Sequence, residues 1–298
     1  MRGVWTAIIT PFTESGELDL NSLKKILKDQ VDAGITGVIP CGTTGEAPTL
    51  SIDEKKTLIQ TCIQELKGSS VQVVAGTGSN QTRETVEFSK WASSVGVQGV
   101  LLVTPYYNKP SQAGLEEHFK TVASAIDCEV TLYNVPSRTG VSLTAETISR
   151  LSKHPRIRSL KEATGNPVFT SEILDQLSKD GGALDILSGD DASYLSLLSV
   201  GAVGIISVAS NLFPRAMVSL QKAFDEGNMK KALEIHTKYY PLFRDLFIES
   251  NPAPIKAAMA SLGWCKAQVR LPLAPLQNQN LRKLESSLSE CQIVRGHS

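Results

Sequence analysis

Lys161 ends the run Ile157-Arg158-Ser159-Leu160-Lys161 and is followed by the small-residue turn Glu162-Ala163-Thr164-Gly165. Ile157, Ser159 and Lys161 point to one side of this predicted strand, Arg158 and Leu160 to the other. Most other lysines fall on predicted helix faces or in loops, where a solvated ammonium needs no special reason. A lysine at a strand end needs one: a carboxylate partner, or chemistry. By type alone the partner is the simpler reading. Other reactive or polar groups sit in short motifs that also end apolar runs. These are Thr43, Thr44 and Glu46, then Tyr106 and Tyr107, then Tyr133, Asn134 and Arg138. Asp190 and Asp191 follow, and finally Ser207 and Asn211.

This set holds hydroxyls, one lysine and one arginine. It lacks histidine, and Cys41 is the cysteine nearest to it. Carbonyl chemistry with such groups points to an iminium: a lysine amine attacks a keto carbon, and the imine serves as electron sink for a carbanion. The amine must be neutral to attack, a state favoured by burial and by a nearby cation such as Arg138. Thr43, Tyr133 and Tyr107 could pass protons. Thr44 and the amides of the Gly42-Thr43-Thr44-Gly45 turn could hold a carboxylate. Each piece also has a plain structural reading. GTTGE could be only a tight turn with Glu46 favourable near a helix N-terminus. Tyr106 and Tyr107 could be core or interface aromatics, Tyr133 a filler, Arg138 a loop ion pair, and one of Asp190 and Asp191 a helix cap. Their recurrence at matching strand ends favours a shared site.

The elements that must position these groups alternate. Strands are predicted over 4–9, 37–41, 71–75, 98–103, 129–133, 157–161, 185–187 and 203–208. Helical periodicity covers 19–33, 52–66, 83–94, 114–125, 144–151, 167–178, 194–200 and 213–225. The strands are continuous apolar runs, as in parallel sheets covered on both faces. Eight strand–helix units in roughly 220 residues fit a (β/α)8 TIM barrel, whose active site lies at the C-terminal strand ends. A doubly wound open sheet is the competitor, with fewer strands and a phosphate loop after the first. Beyond the barrel, predicted as residues 1–226, the pattern is purely helical over 228–247, from Asn251-Pro252 onward, and over 281–288. Asn251 is predicted as N-cap, with Pro252 as first helical residue. The expected division is a catalytic barrel and a C-terminal helical extension, residues 227–298.

Composition excludes several classes. The 298 residues are 41% hydrophobic and 20% charged, with zero formal net charge. Bulk electrostatics therefore attract neither nucleic acid nor an anionic membrane. No apolar run reaches a membrane span, and Met1-Arg2-Gly3-Val4-Trp5 has no signal-peptide anatomy, so the expected compartment is cytoplasm. The five cysteines are scattered without CxxC spacing, and the four histidines form no HxH or HExxH. Buried free thiols are expected, and no metal or cofactor site. Gly76-Thr77-Gly78 lacks the third glycine of a dinucleotide loop, and no GK[ST] occurs. The acidic loop at Asp190-Asp191 disfavours phosphate, so the expected substrates are small carboxylates.

The motifs GTTGE (42–46), TPYYN (104–108), YNVPSRTG (133–140) and KEATG (161–165) resemble those of dihydrodipicolinate synthase, of the N-acetylneuraminate lyase group of class I aldolases. LSGDD (187–191), GIISV (204–208) and NPAPIK (251–256) extend the resemblance over nearly the whole chain. It implies condensation of pyruvate with L-aspartate 4-semialdehyde to 4-hydroxy-tetrahydrodipicolinate, in lysine and diaminopimelate biosynthesis. In that scheme Lys161 forms the Schiff base and Tyr133 exchanges protons above it. Thr43 and Tyr107 complete a hydroxyl relay, Tyr107 reaching into a neighbouring subunit. Thr44 and the backbone of Ile206 touch the pyruvate carboxylate, and Arg138 receives that of the semialdehyde. The resemblance also implies a homotetramer built from tight dimers.

One departure stands out. Asn80, Glu84 and Tyr106 match the cleft where lysine-inhibited members bind lysine. Ala47, Ile52 and Lys55 stand where those members carry polar or imidazole groups, and Lys55 would repel a cation. Weak or absent lysine feedback is expected. Two other readings are a pyruvate-forming aldolase acting on a 2-keto-3-deoxy sugar acid or N-acetylneuraminate, and an inactive homologue kept as a binding protein. Thr44 and Arg138 speak against the first, the intact set of Lys161, Tyr133, Thr43 and Tyr107 against the second.

Overall fold

The structure is a computed structural model and describes residues 1–293. The last five residues of the expected extension, His297 among them, lie outside the described residues. The strands are β1 (Gly3–Thr6), β2 (Gly37–Val38), β3 (Gln72–Gly76), β4 (Gly99–Val103), β5 (Glu129–Asn134), β6 (Ile157–Glu162), β7 (Asp185–Ser188) and β8 (Gly204–Ser207). They follow one another in sequence order around a closed barrel with parallel pairing. The intervening helices are α1 (Leu20–Asp32), α2 (Ile52–Glu65), α3 (Thr82–Ser94), α4 (Gln112–Ser124), α5 (Pro136–Thr139), α6 (Ala145–Leu151), α7 (Pro167–Asp180), α8 (Tyr194–Ser199) and α9 (Pro214–Asp225). Then come α10 (Met229–Asp245), α11 (Ala253–Ser261) and α12 (Asn278–Glu290). This is the (β/α)8 TIM barrel that the alternation predicts.

Local sequence explains the helix ends. Ser51 and Glu54 form a reciprocal capping box that starts α2. Asn166 caps α7 ahead of Pro167, and Gly181 ends it in the left-handed conformation. Ser111 and Thr144 cap α4 and α6 in the same way.

Some expectations are revised. The first strand is shorter than 4–9: beyond Thr6, Ala7 O accepts from Asn211 Nδ2 at 2.8 Å and Ile9 N donates to Asn211 Oδ1 at 3.0 Å, in place of ladder partners. β2 stops at Val38, and the chain turns at Cys41, whose φ is 60°. The short helix α5 was not predicted, although Pro136 at its start and Gly140 past its end are its ordinary punctuation. Asn251 does not cap α11. Pro252 occupies that position, without a side-chain cap, and the Asn251 amide goes to Thr44.

The chain gathers into two compact units. One comprises Met1–Gly3 and Val73–Ile206, the other Val4–Gln72 and the residues from Ser207 onward. In the first, side chains alternate across β5 and β6 in register. Thr131 and Tyr133 lie opposite Ser159 and Lys161, while Leu132 and Asn134 lie opposite Leu160 and Glu162. All eight are buried, and Thr131 and Ser159 share a hydrogen bond at 2.8 Å. In the second, Phe213 stacks on Tyr239 at 4.7 Å. Asp245, at the end of α10, accepts from Ser287 Oγ of α12 at 2.7 Å.

Candidate active site

Strand pairing sets the centre of the site. Tyr133 and Lys161 are register partners on the same face of neighbouring strands, and Lys161 Nζ lies 4.2 Å from the Tyr133 ring centroid. Lys161 is 5% exposed and Tyr133 6%. Among the described residues no carboxylate pairs with the Lys161 amine. The simple structural reading of a strand-end lysine therefore does not apply. Its sequence neighbour Glu162 points to the opposite face and bonds to Asn134 Nδ2 at 2.9 Å and Thr164 N at 2.5 Å.

Gly189 makes room for the lysine stem. A Cβ there would stand 3.1 Å from Lys161 Cε and 2.6 Å from Ala163 Cβ. Sequence reasoning passed over this glycine, since LSGDD drew attention to its aspartates. Asp190 accepts from Ser193 N at 2.8 Å, but Ser193 itself holds the N-cap position of α8, so Asp190 is not the helix cap expected for one of the pair. Asp191 is buried.

Arg138 lies on α5, exposed, and its guanidinium has no partner among the described residues. The loop around it is tightly bonded. Asn134 Oδ1 accepts from Leu143 N at 3.0 Å, and Thr104 Oγ1 donates to Thr139 Oγ1 at 3.2 Å. Tyr107 is 89% exposed, on left-handed backbone with φ 70°. A non-glycine residue takes that conformation at a cost. Asn80 and Asn108 hold this turn: Asn80 Nδ2 donates to Tyr106 O at 3.2 Å, and Asn108 Nδ2 to Asn80 O at 2.9 Å. Glu84, on α3, accepts from Gln81 Nε2 at 3.2 Å. Ile206, at the end of β8, is fully buried.

The second unit carries Thr43 and Thr44. Their turn is pinned from three directions. Thr10 Oγ1 donates to Gly45 O at 2.7 Å. Asn251 Nδ2 donates to Thr44 Oγ1 at 2.9 Å, leaving the Thr44 hydroxyl proton available to an acceptor elsewhere. Glu46 accepts from Lys256 Nζ at 2.6 Å and from Arg270 N at 3.0 Å. Glu46 is thus not simply a carboxylate favoured near a helix N-terminus, the plain reading of its position, but half of a wholly buried ion pair. Burial pulls the Lys256 ammonium down in pKa, and Glu46 pulls it back up. Lys256 entered the sequence reading only as the end of NPAPIK, and Arg270 not at all; the apolar neighbours Pro254, Ile255 and Ala257 were the available signal that Lys256 is buried. Asn211 ties the end of β1 through Ile9 N and Ala7 O, a structural duty.

Other titratable groups look inert. Cys41 is buried and its thiol is pushed up to about 12. His118 is pulled down to about 4 by burial and bonds to Thr82 Oγ1 at 2.9 Å. Among the described residues no three His, Cys, Asp or Glu side chains gather as a metal site, and no helix is long and apolar enough to cross a membrane.

Comparison with known proteins agrees with this geometry. Residues 1–291 match the profile of the Dihydrodipicolinate synthetase family. A 4-hydroxy-tetrahydrodipicolinate synthase of Leptospira biflexa is 46% identical over 297 residues, covering 98% of this chain and 99% of the relative. The solved 4-hydroxy-tetrahydrodipicolinate synthase of the thermoacidophilic methanotroph Methylacidiphilum fumariolicum SolV superposes with a TM-score of 0.94 at 46% identity, over 98% of this chain and 96% of its own. The dihydrodipicolinate synthase of Aquifex aeolicus gives 0.95 at 42% identity, with complete coverage of both chains.

Proposed function

The chain belongs to the dihydrodipicolinate synthetase family, and from this we infer that it condenses pyruvate with L-aspartate 4-semialdehyde through a lysine Schiff base. The product is 4-hydroxy-tetrahydrodipicolinate, and the enzyme is a lyase of lysine and diaminopimelate biosynthesis. The observation that carries the reading is the buried Lys161 amine, without a carboxylate partner among the described residues and set over the Tyr133 ring.

Lys161 is assigned as the nucleophile. Its amine adds to the keto carbon of pyruvate, and loss of water leaves the imine. Removal of a methyl proton gives the enamine. The enamine carbon attacks the aldehyde carbon, and the aldehyde oxygen takes up a proton as a hydroxyl. The amino group of the semialdehyde then adds to the imine carbon, closing the ring and releasing Lys161. Tyr133, with Thr43 and Tyr107, moves the protons. Thr44 and the Ile206 backbone bind the pyruvate carboxylate, and Arg138 binds that of the semialdehyde.

Family resemblance further supports a homotetramer in which Tyr107 enters a neighbouring subunit; the sequence pattern supports a cytoplasmic location and a division into barrel (1–226) and helical extension (227–298), and the departures at Ala47, Ile52 and Lys55 support weak or absent lysine feedback at the cleft of Asn80, Glu84 and Tyr106. The exposure of Tyr107 agrees with a partner covering it. The deciding experiment is borohydride reduction with pyruvate, followed by peptide mapping. Label on Lys161, together with turnover of aspartate semialdehyde and none of keto-deoxy sugar acids, supports the reading. An unlabelled Lys161 refutes it.

A further inference from the structure

Glu162 directly follows the nucleophile, yet its carboxyl is wholly buried on the opposite face of β6. Its hydrogen-bond partners are Thr164 N at 2.5 Å and Asn134 Nδ2 at 2.9 Å, with no cation among them. Burying a carboxyl without a counter-charge is costly, and an aliphatic side chain would serve packing better. Burial raises its pKa above the ordinary carboxyl value, against the pull of the Asn134 amide and of the Thr164 hydroxyl and N–H.

Asn134 explains the cost. It is also fully buried, and both ends of its amide are engaged. Nδ2 donates to Glu162, with Ser142 Oγ at 3.3 Å; Oδ1 accepts from Leu143 N at 3.0 Å and from Ser142 Oγ at 3.4 Å. Asn134 thus stands at the entry of the loop 135–142 and holds its exit. Inside the loop, Thr139 Oγ1 reaches Val135 O at 3.2 Å and Val141 O at 2.8 Å. Arg138 precedes Thr139 and its side chain has no partner among the described residues, so the loop places its guanidinium. An ionised carboxylate accepts and never donates. Glu162 therefore forces the NH2 end of Asn134 toward itself and the carbonyl end toward Leu143.

We propose that Glu162 and Asn134 form a positioning pair that fixes the Arg138 loop and so sets affinity for the acceptor aldehyde without affecting the keto acid. This rests on reading Arg138 as the partner of the acceptor's carboxylate. In Glu162→Gln, one end of the new amide meets a like group at Thr164 N or Asn134 Nδ2, and the lock is lost. KM for aspartate semialdehyde should rise about tenfold, the scale of one lost hydrogen bond. KM for pyruvate and the rate of borohydride trapping should stay at wild-type values. The double variant Asn134→Asp/Glu162→Gln moves the charge across the pair and restores complementarity, so its semialdehyde KM should return close to wild type.

Arg138→Ala serves as the control. If it leaves the semialdehyde KM unchanged, the reading of Arg138 fails. If it raises that KM while Glu162→Gln does not, the positioning pair alone fails. Equal damage to pyruvate trapping in Glu162→Gln would place its effect on Lys161 and overturn the proposal. Should the single variant not fold, the double variant decides: a wild-type KM supports the pair and a raised one overturns it. Failure of both to fold assigns the pair to the core and also overturns it.

Discussion

Among the described residues two lysines are buried, and their contrast is instructive. Lys256 is fully buried with a carboxylate 2.6 Å away, whereas Lys161 has an aromatic ring at 4.2 Å and no carboxylate partner among those residues. A buried ammonium without a counter-charge is unfavourable, so an unpaired lysine at a strand end stands out as a group kept for reaction. Tyr133, its register partner, is the residue proposed to carry protons. Tyr133→Phe should lower kcat by about 10²-fold, the ordinary scale of a lost acid–base group. Steady-state kinetics at saturating pyruvate checks this, and an unchanged kcat would remove Tyr133 from the proton path.

The turn that carries Thr43 and Thr44 depends on groups far along the chain. Lys256→Met would leave Glu46 buried and unpaired, a change that costs about 3–5 kcal/mol. Calorimetry should show a clear fall in Tm, and a Tm within a degree or so of wild type would mean that Glu46 had found another partner. Arg270 also binds Glu54, with Nη1 to Oε2 at 2.9 Å, and these bonds hold the Glu54 carboxyl at about 2, below its ordinary 4.5. The folded-state pKa is depressed, so the stabilisation is complete above pH 4.5 and fades as pH falls through about 2. The Tm gap between wild type and Glu54→Gln should therefore be widest near neutrality and narrow steadily from pH 5 to pH 3. A gap that does not vary with pH would show that the charge on Glu54 contributes nothing.

At the scale of the whole molecule, Tyr107 is the test residue. Its side chain is 89% exposed and its backbone left-handed, held there by the Asn80–Asn108 exchange. If it completes a neighbour's site, mixing Lys161→Ala with Tyr107→Phe under subunit exchange creates hybrid sites that have both groups. Activity should then exceed the sum of the separate variants, and no recovery would confine Tyr107 to its own chain. Lysine at about 1 mM should leave most of the activity, because Lys55 replaces a neutral group at the expected cleft. Half-inhibition below that concentration would contradict this.

The sequence by itself determined the order of strands and helices, because apolar periodicity and cap residues are local properties. It also placed Lys161 and Tyr133 at strand ends, since each closes an apolar run, and Thr44 and Arg138 in the short motifs that follow strands. It misjudged Asn251 and Glu46. Both sit beside a helix start and look like cap or dipole residues, but their partners Thr44 and Lys256 lie about two hundred residues away. It also missed Gly189, whose importance is the space its absent Cβ leaves for Lys161 Cε. Only the tertiary structure decided these points. Burial, strand register and long-range partners are set by packing across the barrel, and they convert a lysine of ordinary type into an unpaired amine beside a tyrosine.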